Sequence, residues 1–216
     1  MKIDLHCHTR YSIDSIIKPK DLVKKSEKAG VIPAITDHNT IDAHREFREL
    51  GAQFIPGEEI RTDRGDLIGL YLTENIPRKA PFAEALDIIH SQGGIAYLPH
   101  MYDKSRKGVI PASEETKKID LVEVFNSRCP VQDFNRKASE FAKQNSKTGL
   151  CGSDSHFLFE FGTTYNEVPE FDIASPKEFL KAVRSAKLVT KKATIFVRGT
   201  TTMVALTKKL LRRLRP

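Results

Sequence analysis

The sequence predicts an α/β domain built on a mainly parallel sheet. Two observations carry that expectation. Short apolar runs of strand type alternate with amphipathic segments of helix type along nearly the whole 216-residue chain, the pattern of repeated strand–helix units. Six of the expected strands are also followed at once by His, Asp, Glu or Asn, and in parallel α/β folds active sites are built at the carboxyl ends of the strands.

The elements follow in order. "KIDLH" reads as the first strand. "KPKDLVKKSEKAG" reads as a helix, with Pro19 near its start and Gly30 just past its end. "VIPAIT" is a buried strand, and "NTIDAHREFRELG" a second helix, capped by Asn39 or Thr40 and stopped by Gly51. "QFIP" is the third strand, and "DLIGLYL" an additional, hairpin-like one. "PFAEALDIIHSQGG" is a helix ended by two glycines, and "IAYLP" a strand. "ASEETKK" makes a short helix, "LVEVF" a strand, "VQDFNRKASEFAKQN" a helix and "TGLCG" a strand. "PKEFLKAVRSAK" closes the body as a helix. "ATIFV" is expected as a final strand and "TTMVALTKKLLRRL" as a terminal helix. No G-x-G-x-x-G or P-loop is present, so a nucleotide-cofactor fold has no support.

Composition separates a body from a tail. After Glu178 there are eleven basic residues and no acidic one, while the remaining 24 Lys and Arg are outnumbered by 28 acids. The boundary is placed between residues 186 and 187, with 187–216 a basic extension packed on the body or projecting from it. Such asymmetry favours an anionic partner, nucleic acid or an acidic membrane surface. Met203, Leu206, Leu210 and Leu214 recur at helical spacing, so the terminal helix is expected to dock by this stripe and to present Lys208, Lys209, Arg212, Arg213 and Arg215 outward. No apolar stretch approaches the ~20 residues of a membrane span. Three scattered cysteines, Cys7, Cys129 and Cys151, make no disulfide framework, and a reducing, cytoplasmic setting is expected.

The residues at the strand ends define the chemistry. His6 and His8 project together because side chains two apart on a strand share a face. Paired imidazoles repel when protonated, and a metal ion between them resolves this. Asp14 follows soon after. The second strand leads to Asp37 and His38, the third to Glu58 and Glu59, the fourth to His100, the fifth to Asn126 and Arg128, and the sixth to Asp154 and His156. Strand phase leaves the choice between Glu58 and Glu59 open. Asp37 is expected to organise its loop rather than to ligate. His44 and His90 fall in helical patterns and read as structural.

Taken together, "DLHCHTRYS", "ITDHNT", "PGEEI", "PH" after a strand, "EVFNSR" and "GSDSH" resemble the PHP (polymerase and histidinol phosphatase) phosphoesterases in kind and order. The resemblance covers roughly residues 1–165. It implies a distorted (β/α)7 barrel with two or three divalent metal ions at the C-terminal ends of its strands. Carried over, it implies that His6, His8, Glu59 and Asp154 hold the first metal. Asp14, His38 and His156 would hold the second. Glu59, as a bridge, with His100 and Asn126 would hold the third. The loop "YSIDS" is one residue longer before its acid than the commoner "YSDGS", and Asn126 stands where some members have His or Cys. A neutral amide is a weak ligand, so the third site is expected to be the weakest.

A donor set of imidazoles and carboxylates without thiolate suits Mn, Zn or Fe. A water acidified by such a centre is a hydrolytic nucleophile, and Arg128, with Asp154 and His156, is expected among the residues that carry the reaction, its guanidinium on a non-bridging phosphate oxygen. Arg10, Lys104 and Arg106 are weaker candidates. The function expected is metal-dependent hydrolysis of phosphate esters on nucleotides or nucleic-acid ends. The alternatives are a small-molecule phosphatase of histidinol-phosphate type and a non-catalytic nucleic-acid-binding subunit on the same barrel.

Overall fold

The computed structural model describes residues 1–193 and 196–213. The first half-turn of the barrel is β1 (Lys2–Cys7), α1 (Pro19–Ala29), β2 (Ile32–Ile35), α2 (Ala43–Glu49) and β3 (Ile55–Arg61). Then come β4 (Asp66–Leu70), α3 (Phe82–Ser91), β5 (Ile95–Leu98), α4 (Ser113–Lys118), β6 (Leu121–Asn126), α5 (Gln132–Gln144) and β7 (Thr148–Gly152). β8 (Tyr165–Glu167), α6 (Pro176–Ala182), β9 (Lys187–Val189) and α7 (Phe196–Arg213) complete the described chain.

One sheet runs in the order β7-β6-β5-β4-β3-β2-β1-β8-β9. Past its last rungs β1 meets the segment after β7, through a parallel bridge from Cys7 to Ser155 and the His8 N–H donated to the Ser155 carbonyl at 3.0 Å. The sheet thereby curls into a nearly closed barrel, as expected. Ile3, Leu5, Ala34, Ile55, Ile68, Leu70, Tyr97, Leu121 and Leu150, drawn from all seven barrel strands, pack into one buried apolar group. Helices cover the outside: Leu22, Val23 and Phe47 of α1 and α2 pack with Cys7 and Ile35, and Phe82, Leu86 and Ile89 of α3 with Leu67, Leu98 and Val122. Cys7 is a buried packing residue, as its strand phase suggests.

The parallel pattern breaks at β4, which is antiparallel to both β3 and β5. "RTDRG" is too short for a crossover, so the chain can only return as a hairpin. β3 also runs to Arg61, past the expected end at Pro56, and Glu59 therefore stands within a strand, opposite Ile68 of β4. α2 starts at Ala43, later than Asn39 or Thr40, because Asn39 takes a left-handed backbone (φ 54°) and its side chain accepts the Arg61 N–H at 2.9 Å.

The end of the chain departs most from expectation. β8 and β9 are three-residue antiparallel additions beside β1, too short and polar to register as strands in sequence. β9 starts at Lys187, so the first residues of the basic extension belong to the barrel sheet. "ATIFV" is not a final strand: Phe196 and Val197 already belong to α7, and residues 194–195 lie outside the described residues. α7 is amphipathic, but its stripe does not dock. Met203, Leu206 and Leu210 are 68%, 62% and 59% exposed, while Thr201 is buried and Lys208 turns toward the barrel. Leu214 and Arg215 lie outside the described residues.

Gly152, the last residue of β7, leaves no room for a side chain. A Cβ there would stand 2.6 Å from the Cβ of His6 and closer still to Oε1 of Glu123. Gly152→Ala is therefore expected to lower stability by about 1–3 kcal/mol, read as a shifted midpoint in urea denaturation. A midpoint unchanged from the parent would show that β1 and β6 can part freely at this height.

Candidate metal centre

His6 and His8 leave the end of β1 with their Nε2 atoms 3.1 Å apart. Each ring is turned by its other nitrogen. His6 Nδ1 lies 3.0 Å from Oε1 of Glu123 on β6. His8 Nδ1 donates to the Ser12 hydroxyl at 3.1 Å, since that hydroxyl already gives its proton to Asp37 at 2.6 Å. Fixing one imidazole nitrogen orients the other toward a common centre.

Glu59 joins this pair to its neighbours. Its Oε2 is 3.2 Å from His8 Nε2, 3.4 Å from His6 Nε2 and 3.0 Å from His38 Nδ1. Oε1 lies 3.1 Å from His100 Nε2. Asp154 brings Oδ1 to 3.7 Å and 3.4 Å from the same two imidazoles of β1. On the far side of His8, Asp14 Oδ2 stands 3.1 Å from His156 Nε2 and 3.5 Å from His38 Nε2. The structure thus gathers His6, His8, Asp14, His38, Glu59, His100, Asp154 and His156. Glu58 points elsewhere and accepts the Ile76 N–H at 3.0 Å, with burial pushing its carboxyl up to about 7. His100 and Asp154 sit where the chain turns off β5 and β7, at φ 29° and 53°, a backbone region that a side chain enters only under local constraint.

The electrostatics of this group suit a cation. Burial opposes charge on His6, yet Asp154, Glu123 and Glu59 outweigh it and hold its pKa well above the usual value. His38 is raised in the same way, against its burial, by Glu59 and Asp14. Glu59 and Asp154 are held well below the usual carboxylate range, despite burial, by His38 and His6 and by His6 and Arg106 respectively. His156 goes the other way, to about 4, through burial and the nearby His8. Its Nδ1 is 2.9 Å from the Asp154 carbonyl and must donate there, so the neutral ring turns the Nε2 lone pair toward the Asp14 carboxylate. Two acceptors facing across 3.1 Å are reconciled by a positive ion between them. Oε2 of Glu59 and Oδ1 of Asp14 are likewise buried with no hydrogen bond among the described residues. The donor types fit Mn, Zn or Fe. His8, His38 and His156 form one group able to hold an ion, and His6, His100 and Asp154 another. His6, His8 and Glu59 form a third, and Glu59, Asp66 and His100 a fourth.

Asn126, expected beside Glu59 and His100, has both amide atoms engaged. Its nitrogen donates to Glu123 at 2.9 Å and Asp154 at 3.2 Å, and its oxygen accepts the Arg128 N–H at 2.9 Å. Asp66, at the start of β4 and paired with Arg61, also approaches Glu59 and His100. Burial and the nearby Glu59 push its carboxyl up to about 6. The sequence reading missed Asp66 because β4 is a hairpin return rather than a barrel-type strand. It missed Glu123 although the signal was present: an acid in the middle of the apolar "LVEVF" needs a buried partner, and His6 is that partner. Asp37 organises its loop as expected, accepting from the backbone and hydroxyl of both Thr9 and Ser12. His44 serves backbone carbonyls of β2 and β3, and His90 pairs with Asp120 near the surface.

Cations stand above the acids. Arg128 is buried, with Nε on Oε1 of Glu160 at 2.9 Å; Oε2 of Glu160 accepts the His156 and Phe157 N–H groups. Arg106, a weaker candidate in sequence, proves the more suggestive. Its Nε donates to Asp103 at 2.9 Å, its Nη1 reaches Asp154, and its buried Nη2 finds no hydrogen-bond partner among the described residues. Arg61, Arg106, Lys107 and Arg128 line a cavity of about 400 Å³ over the centre, with Thr201 and Thr202 of α7 on its wall. A second cavity, bordered by Arg10, Tyr11, Asn75 and Arg78, shares His38 with the first.

Comparisons with known proteins give the family and the fold. The PHP domain model matches residues 4–144, and the PHP-associated model residues 132–188. An uncharacterized protein of Methanocaldococcus jannaschii is 41% identical over 196 residues, 85% of this chain and 79% of its own. A two-domain Bacteroides vulgatus protein, described as containing a predicted PHP-like metal-dependent phosphoesterase, superposes with a TM-score of 0.69 at 16% identity, over 94% of this chain and 69% of that one. The lesion-specific endonuclease PfuEndoQ from Pyrococcus furiosus superposes with a TM-score of 0.60 at 15% identity, over 87% of this chain and 57% of that one.

Protons and metal compete for the same imidazoles, so metal affinity should rise with pH across the raised range of His6, His8 and His38. Calorimetric titration in buffers of different ionisation enthalpy should register proton release on binding. Glu123→Gln, which removes the acid that orients His6, should weaken binding by about 10–100-fold. Equal affinity at pH 5 and pH 8 would contradict ligation by these rings.

Proposed function

The chain belongs to the PHP family, and on that footing we propose that it is a metal-dependent phosphoesterase acting on nucleic acid or its ends. The observation that carries the hydrolytic reading is the layering of the site: converging imidazoles and carboxylates at the strand ends, with Arg106 and Arg128 on the cavity wall above them. His6, His8, Glu59 and Asp154 would hold one ion, and Asp14, His38 and His156 a second. Glu59 and His100, with Asn126 or the neighbouring Asp66, would hold a third. Bound there, divalent ions supply activation of water for attack and neutralisation of charge at phosphorus.

The chain's own groups do the rest. The spare Nη2 of Arg106 is a donor available to a non-bridging oxygen, and Arg106 stays aimed because Asp103 fixes its Nε. Glu160 holds Arg128 against the His156 backbone, so a phosphate held by Arg128 has a set distance from the second group of ligands. Asn126 ties Glu123, Asp154 and the Arg128 backbone together and keeps the acid layer in register with the cationic one.

Two features favour a diester in a polymer over a small monoester. The centre opens into two cavities that meet at His38, so chain can lie on both sides of a scissile phosphate. The second cavity offers Tyr11, Arg10 and Arg78, a ring and cations of the kind that hold single strands. The likeness to an endonuclease points the same way, as does the basic tail, whose Lys209 side chain is exposed on α7. A cytoplasmic setting accords with three buried free cysteines.

The test is hydrolysis by protein loaded with Mn, Zn or Fe. Bis-p-nitrophenyl phosphate and short oligonucleotides should turn over faster than p-nitrophenyl phosphate or histidinol phosphate. His8→Ala and Asp154→Ala should each lower the rate by several powers of ten while circular dichroism stays that of the parent. A parent that binds nucleic acid but cleaves no ester with any of these metals would replace this reading with the non-catalytic one.

A further inference from the structure

The C-terminal helix reaches back to the loop that carries Asp14. Lys208 of α7 donates to the carbonyl oxygens of Arg10 at 3.0 Å, Ser12 at 2.8 Å and Ser15 at 2.5 Å. An ammonium has three protons, and three carbonyls of one short segment converge on it. Asp14 lies between the second and third of them.

The rest of this loop is tied on its inner side. Asp37 holds Thr9 and Ser12, and the Ser15 hydroxyl bonds the carbonyls of His8 at 3.0 Å and His156 at 3.1 Å. Those ties hold the two ends of the stretch, and Lys208 bonds the carbonyls of Ser12 and Ser15, one peptide unit outside the two that flank Asp14. Three carbonyl dipoles turned toward one point repel one another unless a positive charge sits there. Asp14 in turn is the most exposed of the converging carboxylates, at 24% for its side chain against 5% for Asp154 and 2% for Glu59. It is therefore the member of the group whose placement depends most on its backbone.

We propose that Lys208 is a positioning residue for Asp14, so that the C-terminal helix completes the Asp14, His38 and His156 site. This deepens the proposed function and rests on it only in taking those three side chains as a metal site. Lys208 thereby has a role in sequence terms opposite to a solvated cation of a nucleic-acid-binding face.

The experiment is metal titration of the full chain with Mn or Zn, against a competing chelator, with His38→Ala used to identify the isotherm of the second site. Lys208→Met should weaken that site by about tenfold, as loss of a supporting contact does. It should leave the His6 and His8 site unchanged, and Lys208→Arg should recover part of the loss. In an Asp14→Asn background Lys208→Met should add nothing, because the two residues act as one unit. If Lys208→Met folds poorly, Lys208→Gln, which keeps a donor on a shorter chain, is put through the same cycle. Unchanged affinity in these variants overturns the inference. So does an equal loss at both sites with a lower melting temperature, or additivity with Asp14→Asn. The titration uses no ester: metal binding that depends on Lys208 in a chain that hydrolyses nothing removes the proposed function and leaves this inference standing.

Discussion

Glu59 is the constraint around which the structure is arranged. A carboxylate 2% exposed, with three imidazole nitrogens within 3.4 Å of one oxygen and a fourth at 3.1 Å from the other, cannot be left to find its own partners. Desolvation alone would make it neutral, and the surrounding rings reverse that. Each ring must then be held so that it does not turn away, which explains the outer residues: Glu123 behind His6, Ser12 behind His8, and the Asp154 carbonyl behind His156. The hairpin of β3 and β4 follows from the same need. Running β3 on to Arg61 places Glu59 inside a paired strand, where its backbone is fixed on one side by β4 and reaches Asp37 and Asn39 on the other.

The site is also layered by charge. Acids and imidazoles occupy the strand ends, and guanidinium groups the wall above them. A phosphate attracted by Arg106 and Arg128 would meet Glu59, Asp154 and Asp14 next, and at such spacing like charges repel strongly in a low-dielectric setting. Cations between the layers convert that repulsion into attraction. Arg106 shows the coupling directly, because one of its nitrogens reaches Asp154 while another is spare. On the proposed reading, an ion held by Asp154 would relieve its need for the guanidinium and would leave a second donor for phosphate. Metal loading and phosphate binding would then be linked through one side chain.

Much of this was legible in the sequence, for identifiable reasons. The barrel strands are apolar runs of adequate length, and their ends carry residue types that few roles besides metal binding would gather in such numbers. Gly30 stops α1 with the left-handed backbone (φ 63°) its position suggests. What escaped was set by tertiary structure. Strands of three residues such as β8 form because β1 offers an open edge, not because "YNE" prefers extension. Asp66 belongs to the site through the turn that folds β4 back on β3. The engagement of Asn126 depends on Glu123, three residues back, and on Asp154, whose carboxylates reach its amide only once the strands are assembled. Arg106 lies on a loop of basic residues, where sequence gives no reason to prefer one over the next.

The tail shows the limit most clearly. Helical spacing correctly separates an apolar stripe, Met203, Leu206 and Leu210, from a polar face. Periodicity says nothing about which face meets the protein. Burial of apolar surface favours the stripe at roughly 25 cal/mol per Å², and that is the ordinary expectation. Here the loop after β1 presents carbonyl oxygens instead of an apolar groove, and polar groups turned inward without a donor would be costly. A lysine satisfies three of them at once. The helix therefore seats its polar side and leaves its leucines facing outward, because the surface it meets is a polar loop already tied to Asp37 and His156.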